Sequence, residues 1–135
     1  MKRLAMVVED DPELQEAMLA HLARLNFDTC SALHYDEAVE QLASCCPHLV
    51  CVDIGLPTRS GYELCEYIRG QSSLGDVPIL VTSDSGFPED MANAEEAGAN
   101  AFLKKPFSMR QLTNYVEALL GRLSPESART TGVLR

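Results

Sequence analysis

Positive charge is scarce in this chain: 11 lysines and arginines stand against 20 aspartates and glutamates, a net charge of −9 over 135 residues. So little cationic surface disfavours direct binding to DNA, RNA or an anionic membrane, where affinity comes largely from counterion release. Long apolar runs are missing too. None approaches the roughly 20 residues that cross a bilayer. The opening "MKRLAMVVEDD" is basic at its start, but its apolar part is too short for a signal peptide and runs into acids. The cytoplasm is the expected location. The five cysteines (Cys30, Cys45, Cys46, Cys51 and Cys65) contain no C-x-x-C pair. "CCPHLVC" groups Cys46, His48 and Cys51, yet no second ligand pair follows at zinc spacing, and Cys51 lies in an apolar run. Buried, reduced thiols acting as small hydrophobes are expected instead.

What is present is an ordinary globular composition, 46% hydrophobic and 23% charged, long enough for one domain with a real core. Five apolar runs are bounded by turn signals: "LAMVV" (4–8), "FDTCSA" (27–32), "HLVCVD" (48–53), "VPILVT" (77–82) and "NAFLK" (100–104). The first, third and fourth are apolar almost throughout, the pattern of parallel strands covered on both faces. Helical spacing lies between the runs. Leu14, Ala17, Met18, Leu22 and Leu25 share one face; Ala38, Val39 and Leu42 follow, then Leu64 and Ile68. A weaker segment, Glu89 to Ala97, offers Met91 and Ala94, and Ser108 to Leu120 presents Leu112, Val116, Leu119 and Leu120. Gly98 and Gly121 are placed to end the last two helices. Alternating strand and helix predicts an α/β doubly wound sheet with five helices. Residues 122–135, "RLSPESARTTGVLR", show no apolar period and are expected to form a loose tail after a domain spanning 1–121.

Open α/β sheets build their sites beyond the carboxyl ends of the strands. Here the first strand ends in Glu9 and Asp10, the third in Asp53, the fourth in Thr82 and Ser83, and the fifth in Lys104 and Lys105. The second ends only in Leu33 and His34, as an outer strand can. Three carboxylates from two strands make a hard-oxygen site suited to magnesium. A carboxylate beside that metal can attack phosphorus and form an acyl phosphate. The transfer then needs positioning and charge neutralisation, from the metal, a lysine and a hydroxyl. The third acid of the run, Asp11, is followed by Pro12 and reads as a helix N-cap.

These motifs resemble those of the receiver domain of bacterial two-component response regulators, over about residues 3–121. "VVEDD" resembles the family's acidic pair, which implies Glu9 and Asp10 at a magnesium ion, Asp10 directly and Glu9 through water. "VDIGLPTRSG" implies Asp53 as phosphoacceptor, with the Gly55 carbonyl also on the metal. "LVTSD" implies that the Thr82 hydroxyl binds a phosphoryl oxygen. "FLKKPF" implies Lys105 as the family's site lysine, with Lys104 its solvated neighbour and a cis bond to Pro106. Phe102 takes the place of the aromatic that turns inward when Thr82 moves. The implied fold is flavodoxin-like, strand order 2-1-3-4-5.

By the same resemblance the chain is a single-domain regulator. It takes a phosphoryl group from a histidine kinase or histidine phosphotransfer protein and switches partners through helix four, strand five and helix five. It catalyses its own phosphorylation and dephosphorylation and is otherwise no enzyme. "NAF" lacks acids used by regulators that dimerise through the fourth and fifth helices, so a monomer or a weak phosphorylation-dependent dimer is expected. Arg59 stands where the family is usually apolar, and Asp84 flanks the site. His21, His34 and His48 read as surface or helix-flank residues. Rival readings are a receiver cut from a longer regulator or hybrid kinase, and a small aspartyl-nucleophile phosphohydrolase. The second needs an aspartate where Gly55 stands. A flavin carrier needs a glycine-rich phosphate loop where "EDDPEL" stands.

Overall fold

The computed structural model describes residues 2–121. The predicted tail, 122–135, lies outside the described residues. The chain alternates strand and helix: β1 (Arg3–Val8), α1 (Pro12–Arg24), β2 (Phe27–Ala32), α2 (Tyr35–Leu42), β3 (Leu49–Asp53), α3 (Gly61–Arg69), β4 (Ile79–Ser83), α4 (Pro88–Ala97), β5 (Ala101–Lys104) and α5 (Met109–Leu119). The strands form one sheet in the order β2-β1-β3-β4-β5, and every neighbouring pair is parallel.

The period of two along each strand divides the apolar residues between two cores. Met6, Val8, Val50, Val52, Ile79 and Val81 pack on the side of α2, α3 and α4, where Ala38, Leu42, Leu64, Ile68 and Ala94 meet them. Ala5, Val7, Cys51 and Leu80 face the other way, onto Met18, Leu22, Leu112 and Val116 of α1 and α5. Covered on both faces, β1, β3 and β4 have no use for alternation. One expected inward residue is not inward: Ala17 is exposed. Met18 and Leu22 close the α1 seam with half-buried Leu14 and Leu25, and Ala17 falls on its flank.

β4 begins at Ile79 and not at Val77. Pro78 has no N–H to give a ladder, and Val77 N–H is spent on Leu74 O at 3.2 Å. Helix ends follow local chemistry. Asp11 accepts from Glu13 N–H and Pro12 opens α1. Ser60 with Glu63, and Ser108 with Gln111, form capping boxes at α3 and α5. Gly98, at φ 109°, closes α4 in the left-handed conformation.

α4 has few buried residues, and its N-cap, Phe87, provides no side-chain cap and is 64% exposed. Side chains from α3 hold it instead. Tyr62 Oη donates to Asp90 O at 3.2 Å, and two turns later Arg69 Nε donates to Gly98 O at 2.9 Å. The Arg69 guanidinium also reaches Gly75 O (3.1 Å), Val77 O (2.6 Å) and Asn100 Oδ1 (2.8 Å). That Asn100 oxygen takes a second bond from Ile79 N–H at 2.8 Å. The start of β4 and the α4–β5 corner are thus tied to one side chain.

Candidate functional site

The acids sit where two central strands stop. Beyond Val8 the backbone continues in register, Glu9 N–H donating to Ala32 O at 3.1 Å. Gln15 Nε2 closes the turn onto Ala32 O (2.8 Å) and Glu9 O (3.3 Å), and Asp11 N–H donates to Glu9 Oε2 at 3.1 Å. Asp53 is the last residue of β3, and Gly55 N–H donates to its Oδ1 at 3.0 Å. Gly61, the first residue of α3, rests on this strand end: a Cβ there would stand 2.4 Å from Asp53 O and 2.6 Å from Ile54 Cα. Only glycine lets the helix start this close to the strand.

Ligand oxygens of Glu9, Asp10 and Asp53 lie within 4.8 Å of one another, the sole such group of three among the described residues. Asp10 is exposed, while Glu9 and Asp53 are 1% and 5% exposed. Lys105 Nζ reaches in from the end of β5 to Glu9 Oε1 at 2.9 Å and Asp53 Oδ2 at 3.4 Å. Lys105 is the partner of the buried Glu9 Oε1, which meets no other donor among the described residues. Burial lifts the Glu9 carboxyl from the ordinary 4.5 to about 7; Lys105 and the Asp11 N–H restrain that rise and Asp53 adds to it. Burial also pushes Asp53 up, and the Gly55 N–H and Lys105 only partly oppose it. On Lys105 burial acts downward, but its two carboxylate partners outweigh it and hold the ammonium above the usual lysine range. Three clustered carboxylates against one lysine leave room for a second cation. An oxygen-only donor set carrying more negative charge than one lysine neutralises fits a magnesium ion.

The other expected residues fall as follows. Thr82 is buried at the end of β4, paired in register with Asp53 across the β3–β4 ladder. Lys105, not Lys104, enters the site. Lys104 is exposed, and its alkyl chain lies over Gly86, where a Cβ would come within 2.7 Å of it. The Lys105–Pro106 bond is cis. Phe102 is 5% exposed and already inside, in the core beneath α4. An inward turn is therefore not available to it from this arrangement; a phenyl ring without a hydroxyl has no reason to sit in water. Asp84 is exposed.

The histidines lie away from the acids. His34 Nδ1 caps α2 through Glu37 N–H, His48 Nδ1 accepts from Leu4 N–H, and His21 pairs with Thr113 across α1 and α5. Arg59 stacks over the Tyr35 ring at 3.9 Å and pairs with Glu63 at 3.0 Å, which gives this polar residue its place. Of the cysteines, Cys51 and Cys65 are buried as expected, Cys30 and Cys45 are half-buried and Cys46 is exposed. Sequence reasoning missed Gln15, Gly61 and Arg69. None of the three stands out by residue type: Gly61 is the first residue of α3, where glycine costs little, and only the packing shows why it is there.

A doubly wound sheet here brings an acid pair, a third, buried acid, a hydroxyl and a lysine to one edge. The chain belongs to the response regulator receiver domain family, whose model matches residues 5–117. It is 33% identical over 125 residues to the phosphate regulon transcriptional regulatory protein PhoB of Escherichia coli (strain K12), covering 93% of this chain and 55% of that protein. It thus spans about half the length of the curated relatives it matches. Among solved structures it is similar to the signal receiver domain of a signal transduction histidine kinase from Syntrophus aciditrophicus, with 28% identity and TM-score 0.80, covering 91% of this chain and 93% of that one. It is similar also to the receiver domain of the sensor histidine kinase PA1611 from Pseudomonas aeruginosa PAO1. That match has 26% identity and TM-score 0.81 and covers 90% and 99% of the two chains; the relative carries a magnesium ion coordinated in its active-site cleft. No helix among the described residues is long and apolar enough to cross a membrane.

Proposed function

We propose that Asp53 accepts a phosphoryl group from the phosphohistidine of a histidine kinase or histidine phosphotransfer protein, and that the acyl phosphate changes which protein binds the α4, β5 and α5 face. One Asp53 oxygen forms the bond to phosphorus while the donor's P–N bond breaks and the imidazole leaves with the electron pair. Gly55 N–H holds Oδ1, so the carboxylate meets the donor already oriented. Glu9, Asp10, Asp53 and the Gly55 carbonyl would hold a magnesium ion, which supplies neutralisation of the phosphoryl oxygens. Lys105 leaves Asp53 Oδ2 for a phosphoryl oxygen, and the Thr82 hydroxyl donates to another. Phe102, already inside, packs against whatever position Thr82 and α4 adopt. Hydrolysis of the acyl phosphate by water releases inorganic phosphate and restores the Asp53 carboxylate. Stand-alone use and use as the receiver portion of a longer regulator share this chemistry.

The observation that carries the reading is the convergence of three carboxylates on a point that one half-buried lysine only partly neutralises. The test is intact mass after incubation with acetyl phosphate, with and without magnesium, beside Asp53→Asn. A magnesium-dependent gain of one phosphoryl group, absent in the variant, is expected. No gain and no beryllofluoride complex in a folded sample would refute the proposal.

A further inference from the structure

Glu9 and Asp10 stand on the turn beyond β1, whereas Asp53 ends a central strand of the sheet. Turns are the more mobile setting, so the two halves of the acidic site need different means of support. For the turn, one side-chain amide supplies it. Gln15 lies half-buried near the start of α1. An amide nitrogen carries two hydrogens, and Gln15 Nε2 meets two carbonyls, Ala32 O at 2.8 Å and Glu9 O at 3.3 Å. Ala32 O also accepts the Glu9 N–H at 3.1 Å. Both main-chain polar groups of Glu9 are thus fastened to one point, the N–H directly and the carbonyl through Gln15. That point is itself fixed, since Ala32 is 1% exposed and is the last residue of β2. Beyond Asp10 the chain is tied again: Asp11 N–H donates to Glu9 Oε2 at 3.1 Å and Gln15 N–H to Asp11 O at 2.9 Å. Exposed Asp10 takes its place from these neighbours.

Charge does not tell one divalent cation from another; geometry does. Magnesium demands near-ideal octahedral ligands at about 2.0–2.1 Å, whereas calcium accepts a looser shell at about 2.3–2.6 Å. A pinned turn suits the first ion and a yielding one the second. We infer that Gln15 is a positioning residue that sets the choice of cation, holding Glu9 and Asp10 so that the acidic site prefers magnesium to calcium. The inference rests on the magnesium reading of that site and deepens it.

Removing the amide donors leaves the Glu9 carbonyl without Gln15 and lets the turn move. Asp53 stays where it is, because its own support comes from the Gly55 N–H and the β3–β4 ladder. Two of the three carboxylates can then draw back to the longer distances that calcium takes and magnesium does not. A residue that merely completed the fold would act otherwise. Its loss would lower stability and weaken both ions alike, with their ratio unchanged.

The test titrates the whole chain with magnesium chloride and, separately, calcium chloride by calorimetry, so no phosphoryl transfer is involved. Gln15→Met keeps the length and the apolar stem and loses both donors. Its magnesium affinity should fall by about 10–100-fold, while its calcium affinity stays within about threefold of wild type. Gln15→Glu keeps the length and adds a negative charge; its preference for magnesium should fall by about tenfold or more. If charge governed the choice, that variant would bind both ions more tightly at an unchanged ratio. Circular dichroism checks that each variant is folded. Should neither fold, solvent exchange of the Gln15 side-chain amide in the unaltered chain decides, by nuclear magnetic resonance. Exchange slower than that of exposed Gln111, and slowed more by magnesium than by calcium, supports the inference; exchange as fast as that of Gln111 overturns it. Equal losses for the two ions, or magnesium affinity unchanged in Gln15→Met, would overturn it while leaving the magnesium site standing. A wild type that binds no magnesium would overturn both.

Discussion

Glu9→Gln should make the metal-free protein more stable, although it removes an ion pair. Burial raises this carboxyl from 4.5 to about 7, so the folded protein holds its proton more tightly than the unfolded chain does. The contribution of this group is therefore full below pH 4.5 and is lost as pH climbs through 7. At pH 8 keeping Glu9 ionised costs the folded state about 3 kcal/mol, whereas at pH 5 the folded protein protonates it and the cost falls to about 1 kcal/mol. The attraction of Lys105 is already inside those figures, because it helps set the raised value. Glutamine resembles the protonated side chain, so the variant should recover most of this difference. For a domain of this size that is about 10 °C in melting temperature at pH 8, and about 3 °C at pH 5. Thermal unfolding followed by circular dichroism, in EDTA and then in excess magnesium, reads both arms. Magnesium should stabilise the wild type more than the variant, since one of three carboxylates has lost its charge. A variant no more stable than wild type at pH 8 in EDTA, or equally favoured at pH 5 and pH 8, would refute the account of the acidic cluster.

Three further outcomes are expected. Lys105→Met removes the cation that competes for Glu9 and Asp53; magnesium affinity by calorimetry should rise by about tenfold, while acetyl phosphate labelling slows by about 10²–10³. Weaker magnesium binding would contradict the competition. Gly61→Ala drives a Cβ to 2.4 Å from Asp53 O and should cost about 3 kcal/mol or more in urea unfolding. Gly55→Ala meets only an ordinary contact at 3.6 Å and should stay within about 1 kcal/mol of wild type. Arg69→Met strips donors from the carbonyls of Gly75, Val77 and Gly98 and should destabilise by at least about 2 kcal/mol. Arg69→Lys should recover little of this, because an ammonium cannot reproduce the fork.

Strand identity was readable wherever a strand is buried on both faces, because β1, β3 and β4 then appear as unbroken apolar runs. Their lateral order is not a property of any run; it came from resemblance. Glu9, Asp10, Asp53 and Thr82 could be grouped because strand ends in a parallel sheet share an edge. Choosing Lys105 over Lys104 needed packing, in which Gly86 makes room for the Lys104 alkyl chain. Arg69 could not be found from sequence at all. Its guanidinium reaches the main-chain oxygens of Gly75, Val77 and Gly98, and main-chain oxygens leave no pattern in a sequence. Ala17 and Cys46 were placed inward on apolar character alone, which says nothing about which side of a helix or turn is free.

The hold of α3 on α4 has a consequence for how such a surface can diversify. Tyr62 and Arg69 grip the carbonyls of Asp90 and Gly98, and every amino acid supplies a carbonyl. Apart from Asp90, whose carboxylate accepts from the Ser85 hydroxyl, the outward residues of α4 take no part in that grip. They can be rewritten one at a time, to suit a new partner or in the laboratory, while the helix stays where α3 puts it. Anchorage and vocabulary are carried by different helices.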